Sequence, residues 1–270
     1  MMTDEPHILI SEDGPILIAT FNRPDKLNAM SRALMNGLRE AVERLRDTPD
    51  YKVLLIRSTG RYFSSGADLK DGGGEAPSFP PSTGSALREF HRRLPSGMRQ
   101  LWDEMEHVEK PIVVAHQGTC VGGSLEMSMS CDFRLAAASA SYAFPEAKFG
   151  VLPATNGVSR LTRLVGPHWA RLFIMANMPV TAQEALTMGL VHKVYADETF
   201  QDDVMAFCRH LAQQNGEVMG TAKIAIELAH DLAVDQAAAV ERMANASLMM
   251  MPSYQEGLRK HVASVGGPKD

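Results

Sequence analysis

Apolar positions recur with two different periods in the first two-thirds of the chain, and this alternation predicts a mixed α/β fold. Residues 7–21 form two strand-like apolar runs on either side of an Asp13-Gly14 turn. From Ser31, a candidate N-cap, to Pro49, a candidate stop, apolar residues instead follow the helical period. Further strands are predicted at 52–58, 111–116, 133–144 and 190–195, and further helices at 98–108, from 123 onward, 158–177 and 181–189.

The last third of the chain has only the helical period, with predicted helices at 202–214, 217–231, 233–250 and 253–262. Strands that alternate with helices, followed by helices alone, indicate an α/β core over residues 1–200 and a helical region over 201–270. The stretch SLMMMPSYQEGL is apolar and rich in methionine, which suits either packing against its own domain or a subunit interface. Residues 71–97 are rich in Gly, Pro and Ser, which is typical of a mobile lid or a linker.

The amino-acid composition argues against several classes of function. Of the 270 residues, 45% are hydrophobic and 22% charged, and the net charge of −5 gives no support to a nucleic-acid partner. The three cysteines have no paired spacing, which favours a reduced, cytoplasmic protein, and the histidines form no HxxxH or HExxH pair that would indicate a metal site. The first ten residues do not resemble a signal peptide, and no apolar run approaches the ~20 residues of a membrane span.

Two loops have the same arrangement of strand, glycine and helix along the sequence. FSSGADL (63–69) and CVGGSLE (120–126) each follow a buried strand, contain glycine and are predicted to begin a helix. Glycine lets the backbone approach a ligand closely, and a helix start presents unsatisfied N–H groups. Two such N–H groups could converge on one oxygen as an oxyanion hole, although strand–glycine–helix turns are also common scaffolding.

Two acidic residues follow these loops. Glu126 lies in the first turn of the helix predicted from Gly123, among Leu125, Met127 and Met129. A carboxylate in such an apolar helix requires hydrogen-bond or ion-pair partners, or it has a functional role. Glu146 lies 20 residues on, in YAFPEAKFG, where a strand ends and a turn begins. Each acid taken alone could also be a surface residue.

Five segments together resemble the crotonase, or enoyl-CoA hydratase/isomerase, superfamily, in the family's order along the chain. They are NRPDKLNAM (22–30), FSSGADL (63–69), PIVVAHQGTCVGGSLEMSMSCD (111–132), FPEAKFGVLPATNGVSRLTRLVG (144–166) and TAQEALTMGLVHKVY (181–195).

The resemblance implies a crotonase-like spiral of repeated ββα units, with a C-terminal helical region assembled as a homotrimer or as a hexamer, a dimer of trimers. It implies an acyl-CoA thioester substrate and no cofactor beyond the coenzyme A of that substrate. The oxyanion N–H groups would belong to Ala67 and Gly123, and the catalytic acids would be Glu126 and Glu146. Residues expected to line the substrate and coenzyme A groove are Lys26, Leu27, Ala29, Ser65, Ala67, Asp68, Leu69, Lys70 and Gly122.

By this resemblance the protein is expected to be an enoyl-CoA hydratase, which adds water across the 2,3 double bond of a 2-enoyl-CoA. Glu126 would activate the water and Glu146 would protonate C2. A Δ3-Δ2 enoyl-CoA isomerase, which commonly keeps only the equivalent of Glu146, and a catalytically silent acyl-CoA-binding member are the alternatives.

Three features depart from the common hydratase pattern. Ser124 stands where a third glycine is usual, and ATNG (154–157) replaces a run of Gly and Ala. The segment 71–97 is long, and a lid containing Phe79 and Phe90, with Trp102 nearby, would suit a bulky or aromatic acyl group. Other polar residues are expected to be structural: Asp68 as a loop tie, His116 as a hydrogen-bonded strand-end residue, and Asp132 with Arg134 as a pair or strand-start contact.

Overall fold

The computed structural model describes residues 5–69, 83–86, 88 and 97–265. Lys70, Phe79 and Phe90 lie outside the described residues, as does most of the predicted lid.

Ten strands of the described chain form two sheets. The larger sheet has the order β1-β2-β3-β5-β7-β10, and the smaller has the order β4-β6-β8-β9. Within the larger sheet, all neighbours pair in parallel except the first two, which form the predicted hairpin around Gly14. The strands are β1 Ile8–Asp13, β2 Ile16–Phe21, β3 Val53–Ser58, β4 Tyr62–Ser64, β5 Ile112–His116, β6 Thr119–Val121, β7 Phe133–Ala137, β8 Ser141–Ala143, β9 Val180–Thr181 and β10 Lys193–Tyr195.

Successive strands alternate between the two sheets, and this alternation generates the repeated unit. In each of the pairs β3–β4, β5–β6 and β7–β8, the first strand belongs to the larger sheet and the second to the smaller sheet. The corresponding strands of successive pairs lie side by side and parallel. The loops that follow β4, β6 and β8 therefore emerge from the same edge of the smaller sheet, which brings distant sequence segments together.

The helices agree closely with the periodicity of the sequence. Ser31 caps the first helix as predicted, because its hydroxyl oxygen accepts a hydrogen bond from the Leu34 N–H at 3.2 Å. The predicted helix 158–177 is instead two helical segments that meet at Gly166, where φ is +76°. The helices are α1 Arg32–Asp47, α2 Met98–His107, α3 Gly123–Ser128, α4 Gly157–Ile174, α5 Ala182–Thr187, α6 Phe200–Ala212, α7 Gly216–Asp231, α8 Val234–Met249 and α9 Pro252–Val265.

Both faces of the larger sheet are buried, as expected for parallel strands. Because side chains alternate along a strand, Leu17 and Ala19 of β2 join the core shared with α1 and the smaller sheet, whereas Ile16 and Ile18 face the other way. That second face packs against the apolar side of α6.

The chain divides into two compact units, Met1–Gln213 and Gln214–Asp270. The division falls after α6, beyond the boundary at residue 200 expected from the sequence, because α6 packs against the larger sheet. The second unit consists of α7, α8 and α9. No helix among the described residues is long and apolar enough to cross a lipid bilayer.

His116 at the end of β5 is a structural residue, as expected. Its ring is fully buried, with Nδ1 3.1 Å from the Tyr142 hydroxyl and Nε2 2.9 Å from the Ser128 hydroxyl. The ring also meets Phe63 edge-on at a centroid distance of 4.7 Å. Burial, reinforced by the charge of Arg134, lowers the pKa of His116 to about 3, so the imidazole is neutral in the folded protein.

The neutral ring predicts acid-sensitive stability. The unfolded chain binds a proton at the ordinary pKa of 6.5, while the folded chain resists protonation down to about 3. Unfolding therefore takes up a proton within this window, and stability decreases as pH falls below 6.5, by up to ~1.4 kcal/mol per pH unit from this group. We expect His116→Gln to show a shallower decrease in urea-unfolding free energy between pH 7.5 and 4.5. Exposed His107→Gln should keep the parent slope, and an unchanged slope in both variants would contradict the assignment.

Candidate active site

The turn between β6 and α3 carries the first acid into the protein interior. Gly122 has φ +58°, a value that residues with a Cβ rarely adopt, and Gly123 begins the helix directly after it. All six residues of α3 are buried, including Glu126 in its first turn, where only 5% of the residue is exposed. The expectation of a buried carboxylate on an apolar helix is therefore correct.

Glu126 is held by the loop that precedes α4. The backbone N–H groups of Thr155 and Gly157 donate to its Oε1 at 2.8 Å and 3.2 Å. Burial raises the pKa of Glu126, and the hydrogen bonds from this loop, together with the charge of Arg160, partly oppose that increase.

Arg160 connects this loop to α2. Its side chain is 9% exposed and makes ion pairs with Glu106 at 2.5 Å and with Asp103 at 2.8 Å, both on α2. Its Nη1 also donates to the Thr155 carbonyl oxygen at 3.3 Å. Asn156, which has φ +67°, donates from Nδ2 to Asp103 Oδ1 at 3.0 Å. The loop is thus tied to α2 on one side and to Glu126 on the other.

Glu146 occupies the expected place, just after β8 in the first turn of a short 3-10 helix, Pro145–Phe149. The residue is half-buried, and its Oε2 atom is buried without a hydrogen-bond partner among the described residues. Burial raises the pKa of Glu146 to about 7, and the negative charge of Glu126 adds to the increase. A carboxyl group with such a pKa exchanges protons near neutrality.

The two glycines of the β6–α3 turn show how closely these groups converge. A Cβ placed on Gly122 would lie 3.0 Å from Glu146 Oε1. A Cβ placed on Gly123 would lie 3.8 Å from Glu126 Oε2 and 3.7 Å from the Ala67 nitrogen. Both acids and the Ala67 amide therefore surround one turn, and residues without side chains at 122 and 123 keep the space between them open.

The amides of Ala67 and Gly123 are available as donors, since neither N–H meets an acceptor within the described part of the chain. A Cβ on Gly66 would lie 3.4 Å from the Gly123 nitrogen, so the two loops are in close contact. The helix predicted after the Ala67 loop falls outside the described residues. Ala67 itself forms an isolated parallel β-bridge with Met30, because Met30 N donates to Gly66 O and Asp68 N donates to Met30 O.

The segments predicted to form the coenzyme groove are adjacent. The Ser65 N–H donates to the Leu27 carbonyl oxygen at 2.9 Å. Arg23 bridges the same two segments, because its Nη1 atom bonds both the Ala29 carbonyl oxygen at 2.7 Å and Asp68 Oδ2 at 2.8 Å. Asp68 therefore connects its loop to the neighbouring segment through Arg23, as expected.

The flanking groove positions differ in exposure. Lys26 and Leu69 are exposed, and Leu27 and Ala29 are half-buried.

Two of the departures from the family pattern have structural explanations. Ser124 is buried, and its hydroxyl lies 2.8 Å from the Val121 carbonyl oxygen and 3.2 Å from that of Ser64, so it links the two glycine loops. Thr155 of the ATNG stretch accepts the indole N–H of Trp102, which is fully buried on α2, at 3.2 Å.

Asp132 accepts a hydrogen bond from the Ile112 N–H at 2.7 Å, which is the strand-start contact expected of it.

The sequence did not single out three residues that hold Glu126 in place: Thr155, Gly157 and Arg160. The signal in the sequence was the ATNG stretch, which departs from the family's run of glycine and alanine. A cleft of about 550 Å³ runs along this stretch, and its mostly apolar lining includes Leu152 and Val158. No cluster of three metal-ligating side chains is found within the described residues.

Comparison with known proteins identifies the family of this chain. The family model described as enoyl-CoA hydratase/isomerase matches residues 11–264. A carnitinyl-CoA dehydratase of Salmonella enteritidis is 34% identical over 215 residues, which cover 79% of this chain and 75% of the relative. A probable enoyl-CoA hydratase of Mycobacterium bovis is 29% identical over 251 residues, 93% of each chain.

The crystal structure of an enoyl-CoA hydratase from Bacillus anthracis superposes with a TM-score of 0.85 at 25% identity, over 96% of each chain. The fold and the paired acids beside two glycine loops define a crotonase-type enzyme. The chain belongs to the enoyl-CoA hydratase/isomerase family.

The contacts of Gly157 predict that one added methyl group at this position would lower the stability of the protein. A Cβ at this position would lie 2.6 Å from Glu126 Oε1 and 2.7 Å from Pro153 Cβ. We expect Gly157→Ala to displace the carboxylate from its two amides and to lower the free energy of unfolding by about 2 kcal/mol, measured by urea titration. Gly216→Ala is the matched control, because a Cβ there would meet nothing within 4 Å, and it should change the free energy of unfolding little. Equal stability of the two variants would mean that this loop does not hold Glu126.

Proposed function

We propose that the protein is an enoyl-CoA hydratase that adds water across the 2,3 double bond of a 2-enoyl-CoA thioester. The observation that carries the proposal is the pair of acids around one turn. Glu146 has a buried oxygen without a partner among the described residues, and Glu126 is engaged by amide donors beside the same glycines. Two acids in such different surroundings suit one acid and one base.

In the proposed reaction the thioester oxygen accepts hydrogen bonds from the N–H groups of Ala67 and Gly123, which stabilise negative charge as the enolate forms. Glu126 takes a proton from water while the water oxygen bonds to C3. Glu146, protonated, then delivers its proton to C2. The product gains one hydroxyl group and one hydrogen, and the proton held by Glu126 replaces the one lost by Glu146 before the next turnover.

Two observations favour this division of roles. Ionised Glu126 is stabilised by the two amide donors of one loop and by the charge of Arg160, whereas burial and the charge of Glu126 both favour the protonated form of Glu146. The dehydratase among the relatives bears the name of the reverse reaction, which would use the same acids in the opposite order.

The substrate class and the assembly are also proposals. Coenzyme A would lie along residues 26–29 and 65–70, and no further cofactor would be needed. Residues 201–270 would form the trimerisation region of a homotrimer or of a dimer of trimers. In support, α7 and α8 expose large apolar side chains, among them Ile226, Val234 and Met243, which are 68%, 87% and 68% exposed.

Glu146→Gln tests the proposed proton donor. The amide keeps the size of the side chain but cannot deliver an acidic proton, so we expect turnover of crotonyl-CoA to fall by roughly 10³-fold while coenzyme A binding is unchanged. The measurement is loss of conjugated-thioester absorbance, with calorimetry for binding. Exposed Glu109→Gln should behave as the parent.

Other outcomes separate the alternatives. Conversion of a 3-enoyl-CoA by the parent protein, without hydration of any 2-enoyl-CoA, would establish an isomerase. Equal binding by parent and variant, with no turnover by either, would establish a silent acyl-CoA-binding member.

The pKa of Glu146, about 7, predicts the alkaline limb of the pH profile. Glu146 must be protonated to donate to C2, so activity is present below this pKa and is lost as pH increases through it. We expect kcat/KM for crotonyl-CoA to decrease about tenfold per pH unit on the alkaline side, with the bend near pH 7. A flat profile from pH 7 to 9 would exclude Glu146 as the acid.

A further inference from the structure

One buried hydroxyl group joins the two loops that carry the proposed oxyanion amides. Ser124, in the first turn of α3, is fully buried, and its Oγ atom donates toward the Val121 carbonyl oxygen at 2.8 Å and the Ser64 carbonyl oxygen at 3.2 Å. Val121 lies just before the turn of Gly123, and Ser64 lies just before the loop of Ala67. The hydroxyl group therefore faces one acceptor from each loop.

Only one of these two contacts is expected from the local sequence. A serine in a helix commonly bonds a backbone carbonyl three or four residues earlier, and Val121 lies three residues before Ser124. Ser64 is 60 residues away in the chain, so no local preference of serine explains the second contact. The contact with Ser64 is a link between two separate segments.

The backbone alone gives the two loops little mutual support. The ladder between β4 and β6 ends at the pair Ser64 and Cys120, and its register shifts just before that point. Within the described chain, no backbone–backbone hydrogen bond joins residues 65–67 to residues 121–123. Beyond the end of the ladder, the Ser124 hydroxyl therefore supplies a connection that the backbone does not.

The loops are packed so closely that a displacement of one would reach the amide of the other. A Cβ placed on Gly66 would lie 3.4 Å from the Gly123 nitrogen. Ser64 Oγ accepts a hydrogen bond from the Gly66 N–H at 3.2 Å, directly before Ala67. The carbonyl group that Ser124 holds thus belongs to the residue that also restrains the approach to the Ala67 amide.

We propose that Ser124 is a positioning residue, whose hydroxyl group holds the Ala67 and Gly123 amides at the spacing that one thioester oxygen requires. This inference rests on the hydratase function proposed above. Glycine, which the family resemblance leads us to expect at 124, has no hydroxyl group and could not form this link. Because an oxyanion hole stabilises charge best when both donors are already in place, the fixed spacing favours the transition state over the bound substrate.

The first test measures kcat and KM for crotonyl-CoA in the parent, Ser124→Ala and Ser124→Gly. Both substitutions remove the hydroxyl group, and glycine is the residue expected from the family. Because the amides would be misplaced rather than removed, we expect kcat to fall about tenfold, less than the ~10²–10³-fold loss that follows removal of an oxyanion donor, with KM unchanged. Parent-like kcat in both variants would overturn the proposal, and so would an increase in KM alone.

Ser128→Ala is the matched control. Ser128 is fully buried on the same helix, and its hydroxyl group donates to the Ser124 carbonyl oxygen at 2.8 Å and lies 2.9 Å from His116 Nε2. Loss of this hydroxyl should lower the free energy of unfolding in a urea titration and leave kcat unchanged. An equal fall in kcat for Ser128→Ala and Ser124→Ala would mean that any hydroxyl lost from this helix disturbs catalysis, and the inference would be wrong.

A second measurement separates this inference from the proposed function. Acetoacetyl-CoA has as many acyl carbons as crotonyl-CoA but no double bond to hydrate, and its enolate absorbs in the near ultraviolet. Two well-placed amides stabilise this enolate, so we expect the bound ligand to ionise at a pH about one unit higher in Ser124→Ala than in the parent, which matches the tenfold loss of kcat.

The outcomes of this measurement are distinct. If the parent hydrates no 2-enoyl-CoA but the difference in ionisation is present, the hydratase proposal fails and the role of Ser124 stands. If the parent hydrates crotonyl-CoA and both proteins ionise bound acetoacetyl-CoA alike, the inference on Ser124 fails alone.

Discussion

The burial of one carboxyl group, that of Glu126, determines much of the surrounding structure. A charged group removed from water without partners is strongly destabilising, so the chain must supply donors wherever this helix meets its neighbours. The N–H groups of Thr155 and Gly157 meet this requirement, and Arg160 holds their loop against α2. The other acid, Glu146, has a buried oxygen without a partner among the described residues.

The alternation of strands between two sheets explains how remote segments reach one site. Parallel β4, β6 and β8 end at the same edge of the smaller sheet. The loops that follow them carry Ala67, Gly123 and Glu146, respectively. Their proximity is thus a property of the topology, and local sequence has only to place glycine or a carboxyl group just after each strand.

Periodicity indicated most helices and the strands of the larger sheet, but not the short strands β4, β6 and β9 or the contacts between elements. The helix capped by Ser31, the buried helix of Glu126 and the turn of Glu146 follow from local spacing, and the structure has each of them. A β-bridge to Met30 holds the Ala67 loop, and no local pattern in the sequence records this contact. Trp102 and Thr155 meet only because α2 packs beside the loop before α4, so sequence alone could not connect them.

Two of the departures from the expected glycine-rich pattern, Ser124 and Thr155, carry a hydroxyl group. Ser124 contacts backbone oxygens of both glycine loops, and Thr155 accepts the indole N–H of Trp102 while its backbone N–H donates to Glu126. A glycine permits close approach but restrains nothing, whereas a bonded hydroxyl restrains the atoms it joins. The two substitutions therefore act in the same direction. They restrict the movement of the proposed oxyanion amides and of the proposed base relative to each other, which is the preorganisation that a charge-stabilising site requires.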